Sequence, residues 1–379
     1  MAARETTSET SRVPLPTRLG FVVGGSQTLD PLPTVTSYLE KSGGVLVSRP
    51  HRTKGHADRL RKAGSRLDLL VDSGLWRSIV ASPAVTTEAD NGLAPLDLDV
   101  WAEQIVASTS AHTVLTPSYH VSTADWETLA ALLAATAAGT RRELVTLVPT
   151  GADMLEAPHL DTFLSHLRDT PPRQFAFIFT DSNRPFATHA KNRIKGMRRV
   201  LQQHPGAWII GVDPLIASDA IACGAGLAVV GVSGAARNPA GPNDKGFCPD
   251  SDGFLPGLFL PSLLEHRSPR TYAKWFANSA VDTCDDCGRR LDSFQCTDAD
   301  KLAILRHNLH ATHALVDALT ARGPATQRAW LDRRRCNALA AHLQMNPIAA
   351  TVDADRTLRA LCELDDPQGR LTTPQGAWL

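Results

Sequence analysis

Three of the seven cysteines in this 379-residue chain, and one histidine, fall between positions 284 and 307. They are Cys284-Asp-Asp-Cys287, then Cys296, then His307 in His307-Asn308-Leu309. Thiolates and a neutral imidazole at short spacing can close a tetrahedral zinc site. Four protein ligands leave no position for water or substrate, so such a zinc is structural. The expected ligands are therefore Cys284, Cys287, Cys296 and His307. In the blander alternative, Cys296 is a small buried apolar residue, and His310 or His313 on neighbouring turns is incidental. A redox role for the Cys-x2-Cys pair is disfavoured, because it does not open a helix after a strand.

A second set of reactive side chains closes apolar runs. Leu-Leu-Val-Asp72, Ile-Phe-Thr-Asp181 and Ile-Gly-Val-Asp213 each end on a carboxylate next to turn residues. Carboxylates at such ends can act as nucleophile or general base around a polar ring. They also cap following helices, which is the structural alternative. Ser73 and Gly74, Tyr119, Gly151 and Ser233 lie at equivalent positions and are candidate substrate contacts, and His120 and His189 are candidate acid–base groups. Arg193, Lys195, Arg198 and Arg199 form a basic helix face, read either as solvated or as a phosphate contact.

The elements that must position these groups follow from the apolar pattern. Runs at Leu19–Val23, Gly44–Val47, Leu67–Val71, Thr113–Leu115, Leu144–Val148, Phe175–Phe179, Trp208–Val212 and Leu227–Val232 are mostly continuous. Continuous runs are expected of parallel strands buried on both faces. Amphipathic stretches at Trp126–Ala138, Leu160–Leu167 and Ala190–Gln203 alternate with them. Roughly eight strand–helix units in this cadence predict an α/β protein, a (β/α)8 TIM barrel, with a C-terminal zinc-binding helical subdomain. An open doubly wound sheet is the competing arrangement. The expected layout is an arm over 1–15, the barrel over 16–238, and a loop or insertion completing it over 239–283. A metal segment over 284–322 and C-terminal helices over 323–379 follow, with helices expected at Asp298–Ala321, Thr326–Leu343 and Asp353–Leu364.

Composition narrows the class. Lys plus Arg (39) equals Asp plus Glu (39), so no global field draws polyanions, although a local basic patch remains open. The polar start MAARETTSETSRVPLP lacks an apolar h-region, and no run of about 18 apolar residues occurs. An odd cysteine count with clustering fits reduced thiols and a metal, so a cytoplasmic protein without membrane association is expected.

Taken together, these motifs resemble the tRNA-guanine transglycosylase family. Val71-Asp72-Ser73-Gly74 is similar to that family's Asp-Ser-Gly-Gly-Phe-Gln, and Trp208-Ile-Ile-Gly-Val-Asp-Pro214 to its seventh strand. Gly224–Asn238 resembles the eighth-strand region ending in Arg-Asn, which adds Arg237 to the candidate nucleic-acid contacts. The cysteine knuckle with His307-Asn308-Leu309 resembles the family's zinc subdomain. The resemblance implies a (β/α)8 barrel that exchanges guanine for a 7-deazaguanine-type base in tRNA or DNA, through a covalent ribosyl–enzyme intermediate. It assigns Asp72 to base contact and proton transfer, and makes Asp213 and Asp181 candidates for the remaining work. The family's eighth-strand nucleophile falls at about Val230, and its first zinc cysteine is absent, with Cys296 standing in. The expected partners are a nucleic acid or nucleoside, the incoming base, and a homodimer mate or partner subunit. A catalytically silent paralogue and a nucleoside-processing barrel are the alternatives to base exchange.

Overall fold

Eight short parallel strands pair in sequence order and the last returns to the first, closing a barrel. They are β1 (Leu19–Val22), β2 (Val45–Ser48), β3 (Asp68–Val71), β4 (Thr113–Leu115), β5 (Leu144–Gly151), β6 (Phe175–Thr180), β7 (Trp208–Val212) and β8 (Leu227–Gly231). This computed structural model describes residues 19–22, 45–48, 58, 68–88, 97–170, 173–244, 257–281, 283–345 and 351–370. The arm expected over 1–15 lies outside the described residues.

The continuous apolar runs have the cause expected of them: both faces are buried in each strand whose burial is described. Strand residues Phe21, Leu69, Phe177, Phe179, Val212 and Val230 share one core with helix residues such as Phe163 and Leu309, so they face the outer helices. Strand residues that alternate with them, Val22, Leu70, Ile178, Ile210 and Val229, belong to a second core made almost wholly of strand residues, which is the barrel lumen. Helices α1 (Leu98–Thr109), α2 (Trp126–Ala137), α3 (Ala157–Arg168), α4 (Ala190–Gln203) and α5 (Pro214–Ala222) follow β3 to β7. Asp97, Asp125 and Asp213 cap three of these through side-chain bonds to backbone N–H groups.

The barrel closes by direct pairing of β8 with β1. A four-residue helix, α6 (Gly234–Arg237), ends the barrel. Where the sequence suggested a loop, residues from 257 onward form an antiparallel hairpin, β9 (Leu258–Leu260) with β10 (Glu265–Arg267), and then α7 (Pro269–Trp275). Three-residue strands are too short to register as periodicity in a Pro- and Gly-rich stretch. Helices α8 (Asp298–Thr320), α9 (Pro324–Gln344) and α10 (Arg356–Asp365) complete the chain, close to the expected bounds. Leu258, Leu263, Tyr272, Trp275, Phe294 and Ile304 give this C-terminal region its own core. Among the described residues no helix is long and apolar enough to cross a membrane.

Candidate metal centre and barrel mouth

One group of side chains among the described residues is able to hold a metal ion: Cys284, Cys287, His307 and His310, whose ligand atoms lie within 4.8 Å of one another. Cys284 Sγ is 3.7 Å from His310 Nε2, and Cys287 Sγ is 3.8 Å from His307 Nδ1. A tetrahedral ion with bonds of about 2.1–2.3 Å has edges of roughly 3.5–3.8 Å, so these separations suit it. The knuckle is a tight turn. Gly288 N–H donates to the Cys284 carbonyl at 2.8 Å, and Gly288 has φ +63°, which glycine tolerates best.

Cys296 does not belong to the cluster, which corrects the expected ligand set. It lies just before Thr297, the N-cap of α8, whereas His307 is ten residues further along that helix. At 1.5 Å of rise per residue the two are roughly 15 Å apart along the axis. His310 takes the fourth place instead. It stands three residues after His307, so both rings leave the same face of α8, with centroids 4.9 Å apart. That i, i+3 spacing was the signal that could have found it.

The surrounding contacts prepare the imidazoles for a cation. Burial pushes His307 down to about 4, which keeps the ring neutral as a metal ligand must be. Its Nε2 lies 2.8 Å from the Phe259 carbonyl, leaving Nδ1 for the cluster. Asn308 holds the same strand, accepting from Phe259 N–H and donating to the Gly257 carbonyl, each at 2.7 Å. Burial also raises the Cys284 thiol.

The barrel mouth differs from the sequence expectation in its details. Asp72 faces the lumen and is only 4% exposed. One oxygen accepts from Gly74 N–H at 2.9 Å and the other from Trp76 Nε1 at 3.3 Å. The Trp76 indole folds back into the lumen core, capping it from above. Ser73 and Gly74 thus belong to a turn that seats a plug. Asp181 accepts from Asn183 N–H and from Arg193 Nη1, at 2.7 and 2.6 Å. Asp213 caps α5 by accepting from Ile216 N–H at 2.8 Å. Burial raises its proton affinity, and the Arg184 and Arg237 guanidiniums counter only part of that.

The remaining candidates scatter. Tyr119 is half-buried with a raised hydroxyl, Gly151 ends β5, and Ser233 caps α6. His120 is buried against Thr180 Oγ1 at 2.8 Å and pushed down to about 4 by desolvation. His189 pairs with Glu156 at 2.9 Å.

The basic face is largely internal. Arg193 is 2% exposed, and its donors go to Glu156, Asp181, Asp153 and the Pro185 carbonyl. Arg198 is forked onto Asp219 and Asp365. Arg199 pairs with Asp161 at 2.7 Å, while Lys195 is exposed. Arg237 is buried, donates to the Gly231 and Val232 carbonyls, and is lowered to about 10 by desolvation. Arg193, Arg198 and Arg237 are therefore structural cations and not a phosphate-facing row.

Val230 points outward to the helix layer, paired with Phe21 on β1. The lumen-facing position at this strand end is Gly231. A Cβ there would fall on the Ala236 carbonyl carbon and the Arg237 nitrogen, deep inside van der Waals contact. Gly231→Ala is accordingly expected to cost about 3 kcal/mol, the upper end of overpacking, read as a lower urea midpoint with unchanged slope.

No family profile matches this sequence, and no curated protein matches it significantly. Solved structures similar to it include a thermostable chitinase domain from Pyrococcus furiosus, at 14% identity and TM-score 0.35, covering 58% of this chain and 85% of that one. A triosephosphate isomerase from Bartonella henselae matches at 12% identity and TM-score 0.34, over 59% of this chain and 94% of that one. The carboxyl transferase domain of Rhizobium etli pyruvate carboxylase matches at 10% and 0.37, over 94% of this chain and 61% of that one. Likenesses this distant carry no argument about chemistry.

Proposed function

We propose that this chain is a catalytically silent barrel of the transglycosylase type, stapled by a structural zinc, that serves an active partner subunit. The observation that carries the reading is the closed end of β8. The outward strand position holds Val230, and the inward one, Gly231, has no room for a side chain. Displacement at an anomeric carbon needs a carboxylate beneath the sugar. Asp72 supports the same reading, since both its oxygens are engaged in seating Trp76 over the lumen. A protein partner is favoured over nucleic acid because Arg193 and Arg198 spend their charge inside the fold. Cys284, Cys287, His307 and His310 would hold the zinc, whose role is to tie the knuckle to α8.

A second reading, base exchange by the chain alone, is favoured by one feature. Asp213 stands at the mouth near Arg184 and Arg237 with raised proton affinity, suited to protonating a departing base. Incubation with labelled guanine and tRNA, DNA or nucleosides in parallel separates the two. The expected result is neither label incorporation nor a covalent adduct for the isolated protein. Exchange that disappears in Asp72→Asn or Asp213→Asn would establish the second reading instead.

A further inference from the structure

The two histidines of the cluster are each held by a different kind of group. His307 turns Nε2 toward the Phe259 carbonyl at 2.8 Å, so it carries its proton there and offers Nδ1. His310 has both ring nitrogens near Cys284 Sγ, Nε2 at 3.7 Å and Nδ1 at 3.8 Å, but only Nδ1 meets a carboxylate, at 3.1 Å from Asp286 Oδ2 inside the knuckle itself. We infer that Asp286 is the positioning residue of the metal site: its carboxylate accepts the His310 Nδ1 proton, fixes that tautomer, and aims Nε2 at the ion.

The inference rests on the zinc reading above and extends it to a residue that is not a ligand. A carbonyl and a carboxylate are the two usual acceptors behind a metal-bound imidazole, and each orients the ring and strengthens it as a ligand. Here both occur in one site. His307 is 1% exposed and packed against Phe294, with its ring held by the hydrophobic core as well as by Phe259. His310 leans on the knuckle, where Asp286 is the carboxylate within reach. The Asp286 side chain is 60% exposed, so it bears on the cluster from the solvent side and not as part of the core. Two thiolates and two neutral imidazoles leave a divalent ion formally compensated. The carboxylate then adds negative charge one bond network away from it.

The test uses the full chain, loaded with zinc and titrated against a chromophoric chelator. Asp286→Ala is expected to weaken zinc binding on the order of 10–100-fold, with Asp286→Asn in between because its amide oxygen still accepts. Asp285→Asn removes the same charge one residue away and is expected to stay within about 3-fold of wild type. Nitrogen-15 spectra of the loaded protein are expected to show His307 metallated at Nδ1 and His310 at Nε2, with the His310 pattern alone altered in Asp286→Ala. Equal affinity in Asp286→Ala, or equal loss in Asp285→Asn, would overturn the positioning role while leaving the metal site standing. A wild-type chain that takes up no stoichiometric zinc would overturn both.

Discussion

Asp219→Ala is expected to lower the stability of the fold by about 3–5 kcal/mol, the cost of stranding buried charge when one member of a buried ion network is removed. Asp219 and Arg335 are both fully buried, 116 residues apart, and meet at 2.8 Å. Arg198 adds a fork onto Asp219 at 2.8 and 2.9 Å and a second onto Asp365 at 2.8 Å. Arg335 reaches Asp365 at 3.0 Å, and Arg328 also contacts it. The network therefore ties α4 and α5 of the barrel to α9 and α10. Removing Asp219 leaves the fully buried Arg335 and its neighbours Arg198 and Arg328 with one shared carboxylate, Asp365, in place of two. Chemical denaturation read by circular dichroism checks the loss, and a change under about 1 kcal/mol would show the network to be incidental.

The same carboxylates set a pH dependence. Burial alone would raise Asp219, yet Arg335 and Arg198 hold it well below the usual carboxylate range; Asp365 is lowered too, chiefly by Arg198 against its burial. Their stabilisation is complete above the unfolded carboxylate pKa of about 3.9 and drains away as pH falls through the lowered folded values. Asp332 acts in the opposite sense, since burial and the nearby Asp365 raise it to about 6. Between about 6 and 4 it binds its proton more tightly when folded, so its contribution grows as pH falls through that window. Asp219→Ala is expected to flatten the acid side of the stability profile while leaving the rise between about 6 and 4.

Much of the barrel was legible because buried parallel strands are written as apolar runs, and seven of the eight strands both begin and end within a residue of those runs. What the runs conceal is which side chain faces the lumen. In Leu-Ala-Val-Val-Gly both faces are apolar, so only the paired strands and helices separate outward Val230 from inward Gly231. The basic face of α4 was misread for a similar reason. Arg198 finds Asp219 and Asp365 at sequence distances of 21 and 167 residues, and no local pattern announces such partners. Three of the four candidate metal ligands were legible. Cys284, Cys287 and His307 carried over, while the third cysteine drew attention from the histidine one helical turn away.

Removing the metal is expected to have the largest effect of any single treatment, and to be confined to one part of the chain. Structural zinc sites in small modules contribute on the order of 10 kcal/mol to folding at neutral pH, because the ligands are not assembled in the unfolded chain. Here the knuckle lies within a segment whose core is small, built around Leu258, Tyr272, Trp275, Leu291 and Phe294. The inner face of α8 is anchored elsewhere: Leu309 and Val316 belong to the barrel's outer core, and His313 packs on Phe21 at 5.5 Å between ring centres. Chelation is therefore expected to abolish hydrogen-exchange protection of the turns between 283 and 297 and to weaken the β9–β10 hairpin, which His307 and Asn308 hold through Phe259. Strands β3 to β8 keep their protection. Cys284→Ser and His310→Ala should reproduce the pattern and lose about one metal per chain by elemental analysis, whereas Cys296→Ser retains it. Loss of metal in Cys296→Ser, or protection of the 283–297 turns that survives proven chelation, would mean that the knuckle is held by packing and not by an ion. The division follows from where α8 sits: one face carries the Cys/His cluster and the other belongs to the barrel, so an ion held there would decide how the knuckle folds and not whether the barrel does.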